Sequence, residues 1–156
     1  MLYRQLRESE RGVLKDFLYE AIFIPEGAVT PDREIVLRPE LKLYYDDFGH
    51  NEGDYCIVAD DDGRIVGAVW SRIMNDYGHV DDDTPSLAIS LYSEYRGKGT
   101  GSELLKRMLE LLKAEGFKRV SLAVQKANYA VRMYEKAGFK IINENEEEYI
   151  MVCALN

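Results

Sequence analysis

The chain has 156 residues, 46% hydrophobic and 31% charged, which is typical of one globular domain with a buried core. Its 20 Lys and Arg residues and 28 Asp and Glu residues give a net charge of −8, which disfavours proteins that bind nucleic acid or anionic membranes through clustered cations. No apolar stretch is long enough for a membrane span, and the first residues lack the apolar core of a signal peptide, so we expect a single cytoplasmic domain over residues 1–156.

The spacing of apolar residues predicts an alternation of helices and strands. In chain order, the predicted elements are a strand over 3–6, a helix over 9–22, a helix over 32–45 interrupted at Pro39, strands over 55–59, 65–73 and 86–92, a helix over 99–115, a strand over 119–124, a helix over 128–137, and strands over 139–142 and 149–155. Ser9 is expected to cap the first helix, and Gly116 and Gly138 to end the later two. This order predicts an α/β (α+β) fold in which about four helices cover a mixed, mostly antiparallel sheet of about six to seven strands.

The connection between the strand over 86–92 and the next helix carries most of the functional information. It reads Arg96-Gly97-Lys98-Gly99-Thr100-Gly101-Ser102 and leads directly into the helix. Its glycines let backbone N–H groups approach an anion closely, and the first N–H groups of a helix lack internal partners at the positive end of the helix dipole. The sequence therefore predicts a phosphate-binding loop, with Arg96 and Lys98 as mobile cations.

Three other interpretations of this loop are weaker. A P-loop requires a lysine after its last glycine, whereas Lys98 precedes Gly99. A dinucleotide-binding loop requires its third glycine one residue later than Gly101. A glycine-rich turn without a ligand does not require two cations beside the start of a helix.

The spacing of Arg96, Gly99 and Gly101 resembles the Arg-x-x-Gly-x-Gly pyrophosphate loop of the GNAT superfamily, the acetyl-CoA-dependent N-acyltransferases. A second segment, 128–139, is similar to the family pattern Asn-x-x-Ala-x-x-x-Tyr-x-x-x-Gly-Phe, with Val131 one residue off the usual alanine register. The order of the predicted elements also matches the family over nearly the whole chain. The resemblance implies a GNAT-like fold in which the central strands splay apart.

The resemblance implies that acetyl-CoA is the co-substrate and that its pantetheine arm pairs with the backbone of Leu91 and Tyr92. The residues expected to hold the pyrophosphate are Arg96, Gly97, Lys98, Gly99, Thr100, Gly101 and Ser102. Asn128 is expected to reach the pantetheine, and Tyr134 to lie near the thioester sulfur, where a phenol can protonate the departing thiolate. The same residue types also suit a helix N-cap and core packing, respectively.

The implied reaction is direct attack of a primary amine on the thioester in a ternary complex. An alkyl amine is mostly protonated at neutral pH, so the site needs a group that accepts its proton. Asp83 is the candidate general base, with Tyr92 or a chain of water molecules as alternatives. No spacing of His, Cys and Asp residues indicates a metal site.

The acceptor site of this family lies across the splayed strands from the coenzyme. The residues expected to line it are Phe23, Tyr44, Tyr45 and Tyr149. With Asp46 and Asp47 nearby, this set suits a cationic amine of a small molecule or peptide. Two other functions are compatible with the sequence: a CoA-binding sensor without catalysis, and an interaction module with a vestigial loop. The closing strands also offer a surface for a homodimer.

Overall fold

A computed structural model describes residues 1–156, and its strands form one seven-stranded sheet. The strands are β1 (Leu2–Gln5), β2 (Tyr55–Asp61), β3 (Arg64–Arg72), β4 (Ser86–Leu91), β5 (Arg119–Gln125), β6 (Lys140–Glu144) and β7 (Glu148–Ala154). Their order across the sheet is β1-β2-β3-β4-β5-β7-β6, and only β4 and β5 run parallel. The predicted mixed, mostly antiparallel sheet is confirmed.

Four α-helices cover the two faces of this sheet. They are α1 (Val13–Ala21), α2 (Pro39–Lys42), α3 (Thr100–Ala114) and α4 (Ala130–Ala137). The core under α3 and α4 includes Leu104, Met108 and Tyr134, whereas the core under α1 includes Phe17 and Trp70. None of the helices combines the length and apolar character that crossing a bilayer requires.

The start of α1 differs from the prediction. Ser9 lies in a short 3-10 turn over Glu8–Glu10, and α1 begins after Gly12 without a side-chain cap. Glu10 satisfies this part of the backbone instead, because its carboxylate accepts a hydrogen bond from the N–H of Arg7 at 2.8 Å. The same carboxylate is held by Arg4 of β1, so an ion pair fixes the turn before α1 and the expected serine cap is absent.

The predicted second helix is two short helices. A 3-10 helix covers Arg33–Leu37, and Asp32 caps it by accepting a hydrogen bond from the N–H of Glu34. Pro39 begins α2 rather than interrupting a longer helix, since proline has no N–H to leave unpaired in the first turn. The prediction of one interrupted helix to Tyr45 was therefore wrong in its boundaries.

A cleft opens between β4 and β5. The two strands pair only where Ser86 lies opposite Ser121, and the Ser121 N–H donates to the Pro85 carbonyl at 2.9 Å. Both strands continue beyond this pair, to Leu91 and Gln125, without further pairing to each other. The splayed central strands expected from the resemblance are thus present, and the cleft is widest at the carboxyl ends of both strands.

Candidate active site

The backbone edge of β4 forms one wall of this cleft. The Tyr92 N–H donates to the Val66 carbonyl at 3.0 Å, so the backbone of Tyr92 faces β3. Because backbone groups alternate sides along a strand, Ile89 and Leu91 face the cleft. An extended ligand in the cleft therefore finds the N–H of Leu91, whereas that of Tyr92 is already used. The backbone role of Tyr92 stays a prediction that its N–H does not support, and its ring lies tilted against that of Phe17, with centroids 5.0 Å apart.

The glycine-rich loop forms an open cradle at the N-terminus of α3. The backbone N–H groups from Gly97 to Ser102 have no acceptor within the protein. Gly97 and Gly99 have φ angles of +73° and +87°, and no atom lies within 4 Å of the place where their Cβ atoms would stand. These unpaired N–H groups, at the positive end of the α3 dipole, fit a diphosphate.

Arg96 is not the mobile cation that the sequence predicts. Its Nε donates to the Leu91 carbonyl at 3.1 Å, and one of its Nη atoms donates to the Glu20 carbonyl at 3.3 Å. The guanidinium also lies 3.6 Å from the Glu20 carboxylate. Arg96 therefore ties the end of β4 to the end of α1, and the loop backbone is left as the anion-binding group. Lys98 has no acidic partner and lies 5.9 Å from the Tyr95 ring.

The end of β4, the loop and α4 meet at Gly101. A Cβ added there would lie 3.4 Å from the Met133 sulfur of α4 and 3.6 Å from a methyl group of Leu91. A side chain at this position would therefore push the three elements apart. This contact brings the helix that carries Tyr134 against the loop that opens α3.

Asn128 and Tyr134 present polar groups from α4 and the turn before it. The Asn128 side-chain oxygen accepts a hydrogen bond from the Ala130 N–H at 2.9 Å, which leaves its amide N–H groups without a protein partner. Tyr134 is 8% exposed, its ring packs edge-on to Phe139, and its hydroxyl makes no hydrogen bond within the protein. Burial raises the pKa of Tyr134 above its ordinary value, so the phenol stays protonated at neutral pH.

The opposite face of the sheet carries an acidic cluster that the sequence analysis missed. The Tyr44 hydroxyl donates to Asp76 Oδ2 at 3.2 Å, and the Ser86 hydroxyl donates to Asp76 Oδ1 at 2.9 Å. Burial raises the pKa of Asp76 above its ordinary value. The predicted base, Asp83, is exposed, and its N–H donates to Asp81. Asp76, unlike Asp83, is therefore a partly buried carboxylate that two hydroxyl groups hold, and the role of Asp83 as general base stays a prediction.

The predicted acceptor residues separate into different surroundings. Tyr44 lies in the acidic cluster, but the Tyr45 hydroxyl donates to the Val36 carbonyl at 2.8 Å and so serves packing near α2. Tyr149 packs with the core under α3 and α4. Phe23 is partly buried just beyond the end of α1.

The neighbours of Tyr149 face the acceptor side instead. Successive strand residues point to opposite faces, so Glu148 and Ile150 project away from α4. Burial and the nearby Glu147 raise the pKa of Glu148, and Glu148 in turn helps to raise the pKa of Tyr44. The side chains that line this end of the acceptor face are therefore one residue away from the predicted one.

Comparison with known proteins identifies the family. Residues 19–139 match the model of the Acetyltransferase (GNAT) family. The chain belongs to this family. Among curated GNAT relatives, the mycothiol acetyltransferase of Propionibacterium freudenreichii is 28% identical over 88 residues, 56% of this chain and 28% of that protein. The N-alpha-acetyltransferase 30 of Schizosaccharomyces pombe is 28% identical over 102 residues, 65% of this chain and 67% of that protein.

The chain spans less than two thirds of the length of most of the curated relatives that it matches. Solved structures match it over almost its whole length. The PaiA N-acetyltransferase of Thermoplasma acidophilum in complex with coenzyme A has a TM-score of 0.71 and 20% identity, covering 98% of each chain. The ribosomal-protein-S18-alanine N-acetyltransferase of Escherichia coli has a TM-score of 0.69 and 16% identity, covering 99% of this chain and 94% of that one. At these identities the likeness shows the GNAT fold.

Proposed function

We propose that this GNAT chain transfers the acetyl group of acetyl-CoA to a primary amine of a small molecule or peptide. The observation that carries the proposal is the run of unpaired backbone N–H groups over 97–102 beside the splayed β4–β5 cleft. A diphosphate on this cradle and a pantetheine arm along the free edge of β4 at Leu91 place a thioester within the cleft.

The chain supplies groups for each step of a direct transfer, and acetyl-CoA supplies the activated acetyl group. Cleft-facing backbone N–H groups of Ile89 and Leu91 are available to stabilise a developing oxyanion. The free amide of Asn128 is available to a pantetheine carbonyl. As the C–S bond breaks, the buried Tyr134 phenol donates its hydroxyl proton to the departing sulfur, and Tyr134 recovers a proton from water when the products leave. Because the acceptor amine attacks the thioester directly in a ternary complex, the enzyme needs no nucleophile of its own.

The charge of the acceptor face favours a cationic amine. Tyr44, Asp76 and Glu148 lie together there, and the whole chain carries a net charge of −8. Carboxylates and a phenol attract an ammonium group through charge and its interaction with the aromatic ring. We therefore expect cationic amines to be better acceptors than anionic ones.

Release of free thiol from acetyl-CoA tests this function. The amines to compare are putrescine, L-lysine, benzylamine and a tripeptide that begins with alanine, with L-glutamate as an anionic control. We expect acetyl-CoA to bind in calorimetry and thiol to be released with one or more of the cationic amines. Binding without thiol release would favour the sensor, and no binding at all would favour the interaction module. Turnover with glutamate alone would contradict the cationic acceptor.

The cradle itself is tested by Gly99→Ala. At φ +87° a Cβ strains the backbone by about 1–2 kcal/mol, and it would stand in the space that a diphosphate needs. We expect the Kd of acetyl-CoA to rise about tenfold in calorimetry, which corresponds to about 1.4 kcal/mol. Gly116→Ala is the matched control, since Gly116 at the other end of α3 also has a positive φ, +93°, and open space around its Cβ position. Equal binding losses in the two variants would show that strain alone is responsible.

A further inference from the structure

Three chain segments bring polar groups together at the amino end of β4. Tyr44 follows α2, Asp76 lies in the connection between β3 and β4, and Ser86 is the first residue of β4. Leu87 belongs to the core under α3, so the alternation of strand residues turns Ser86 toward the opposite face. The cluster therefore lies on the face where the acceptor amine is expected, across the sheet from α3 and α4.

Small side chains form the floor beside this cluster. Ala88 is the next residue of β4 on the same face, and it is partly exposed although β4 is a central strand. Ala123 of β5 is also partly exposed. Two of the smallest side chains thus lie on this face on either side of the β4–β5 cleft. Gly78 packs against the β5 backbone beside them, since a Cβ there would lie 3.1 Å from the Ala123 nitrogen and 3.5 Å from Asp76 Oδ2.

The hydrogen bonds within the cluster have a direction. The Tyr44 hydroxyl donates to Asp76 Oδ2, so the lone pairs of its oxygen are left to accept a hydrogen bond from another group. Burial and the neighbouring Asp76 and Glu148 raise the pKa of Tyr44, so Tyr44 does not hold a negative charge by itself. Asp76 is therefore the group that can keep a proton received through this phenol.

We propose that Tyr44 contacts the acceptor nitrogen and passes its proton to Asp76. This inference rests on the proposed transfer to an amine. An N–H bond of the acceptor ammonium breaks and its proton goes to Tyr44 Oη, while the original Tyr44 proton goes to Asp76 Oδ2. The nitrogen lone pair is then free to attack the thioester, and Asp76 later returns the proton to water. Ser86 orients the carboxylate through its hydrogen bond to Oδ1.

Glu148 and Asp83 fit this role less well. Glu148 makes no side-chain hydrogen bond, so its charge is better placed to attract an ammonium group than to receive a proton through Tyr44. Asp83 is exposed and has no contact with the cluster. Tyr44 is the ionisable side chain that contacts Asp76, and Glu148, with its neighbour Glu147, acts on Tyr44. The backbone N–H of His79 donates to the Asp76 carbonyl.

The dependence of kcat on pH tests the inference in Asp76→Asn, with acetyl-CoA and the fastest amine of the panel above. Asparagine can still accept the Tyr44 hydrogen bond, but it cannot accept a proton. At pH 7 we expect kcat about 10²-fold lower, with the KM for acetyl-CoA within threefold of wild type. Wild-type kcat should fall as the pH drops through the raised pKa of Asp76. In the variant, kcat should rise about tenfold per pH unit toward the amine pKa of about 10.4.

Asp62→Asn is the matched control, because Asp62 is exposed in the β2–β3 turn at φ +52°, a conformation that asparagine also adopts readily. Its profile should equal that of wild type. Tyr44→Phe should give the same loss of kcat and the same change in pH profile as Asp76→Asn. It replaces Asp76→Asn as the test if that variant does not fold. A wild-type-to-variant ratio that stays constant across the pH range would show a structural role for Asp76. The inference would also be overturned if Asp83→Asn, but not Asp76→Asn, removed the fall of kcat at low pH.

The failure of this inference is distinguishable from the failure of the proposed function. If the wild type releases no thiol with any amine, the transfer itself is wrong, and the relay falls with it. If the wild type is active and both Asp76→Asn and Tyr44→Phe keep its kcat and its pH profile, only the relay is wrong.

Discussion

Replacing Tyr134 with phenylalanine should lower kcat roughly 10³-fold while leaving the KM for acetyl-CoA within threefold of wild type. The buried phenol is the group that we expect to protonate the departing thiolate, and water does not easily replace it because Tyr134 is only 8% exposed. Steady-state thiol release measures the effect. A loss of this size in kcat alone indicates an interaction made in the transition state rather than in binding.

The substitution is structurally mild, which makes the result interpretable. The Tyr134 hydroxyl has no hydrogen-bond partner within the protein, and its ring contact with Phe139 is preserved in phenylalanine. We therefore expect the Tm to change by less than about 2 °C, since no internal hydrogen bond is lost. Tyr129→Phe is the matched control, because Tyr129 is 74% exposed directly before α4. A kcat within twofold of wild type in Tyr134→Phe would exclude the phenol as the proton donor.

The pH dependence gives a second readout of the same residue. Burial raises the pKa of Tyr134 above its ordinary value of 10.0, so the phenol keeps its proton throughout the neutral range and beyond. Wild-type kcat should accordingly show no alkaline decline from Tyr134 below about pH 10. A decline near pH 8 that disappears in Tyr134→Phe would contradict the assigned pKa direction.

Local patterns were sufficient for much of the fold and for the position of the glycine-rich loop. The apolar spacing of α3 and its glycine-rich start depend on neighbours within a few residues, so they are legible in the sequence. Register is different, because a shift of one residue turns a strand side chain to the other face. The sequence does not reveal the register of β7, so Tyr149 was predicted on the face that carries Tyr44. The structure places Glu148 on that face and Tyr149 on the other.

Contacts between distant segments account for the rest of the site. Asp76 gains its role from Tyr44, 32 residues away, and from Ser86, 10 residues away. Arg96 is immobilised by Glu20, which is 76 residues distant. No local pattern marks these partners, since they depend on how the loops lie against the sheet. In the sequence, Asp76 is therefore indistinguishable from a solvated loop carboxylate, and only the fold shows that it lies beside the Tyr44 hydroxyl.

Asp54→Ala should destabilise the protein by about 4 kcal/mol, the largest stability effect that we expect from a single side chain. Asp54 and Arg72 form an ion pair at 3.0 Å, with side chains only 1% and 7% exposed. Removing the carboxylate leaves the guanidinium buried without a counter-charge, which costs more than the lost attraction alone. The midpoint and slope of urea unfolding measure the change in the free energy of unfolding.

The matched control is Glu94→Ala, which breaks the ion pair between Glu94 and Arg64. These side chains are 57% and 60% exposed and 3.5 Å apart, so we expect a change below about 1 kcal/mol. Equal losses in the two variants would contradict the role of burial. A small loss in Asp54→Ala alone would show that water enters and solvates Arg72.

This ion pair also connects stability to the acceptor face. One Nη of Arg72 donates to the carbonyls of Leu43 and Asp46, at 3.0 and 2.6 Å, and the Trp70 indole N–H donates to the Tyr44 carbonyl at 2.9 Å. Arg72 and Trp70 thus hold the backbone on either side of Tyr44 and at Tyr44 itself, the residue that donates to Asp76. We expect Asp54→Ala, assayed well below its unfolding midpoint, to lose kcat with little change in the KM for acetyl-CoA, because the cradle at α3 lies on the other face of the sheet. An equal rise in the KM for acetyl-CoA would show instead that the whole sheet, rather than the Tyr44 segment, has shifted.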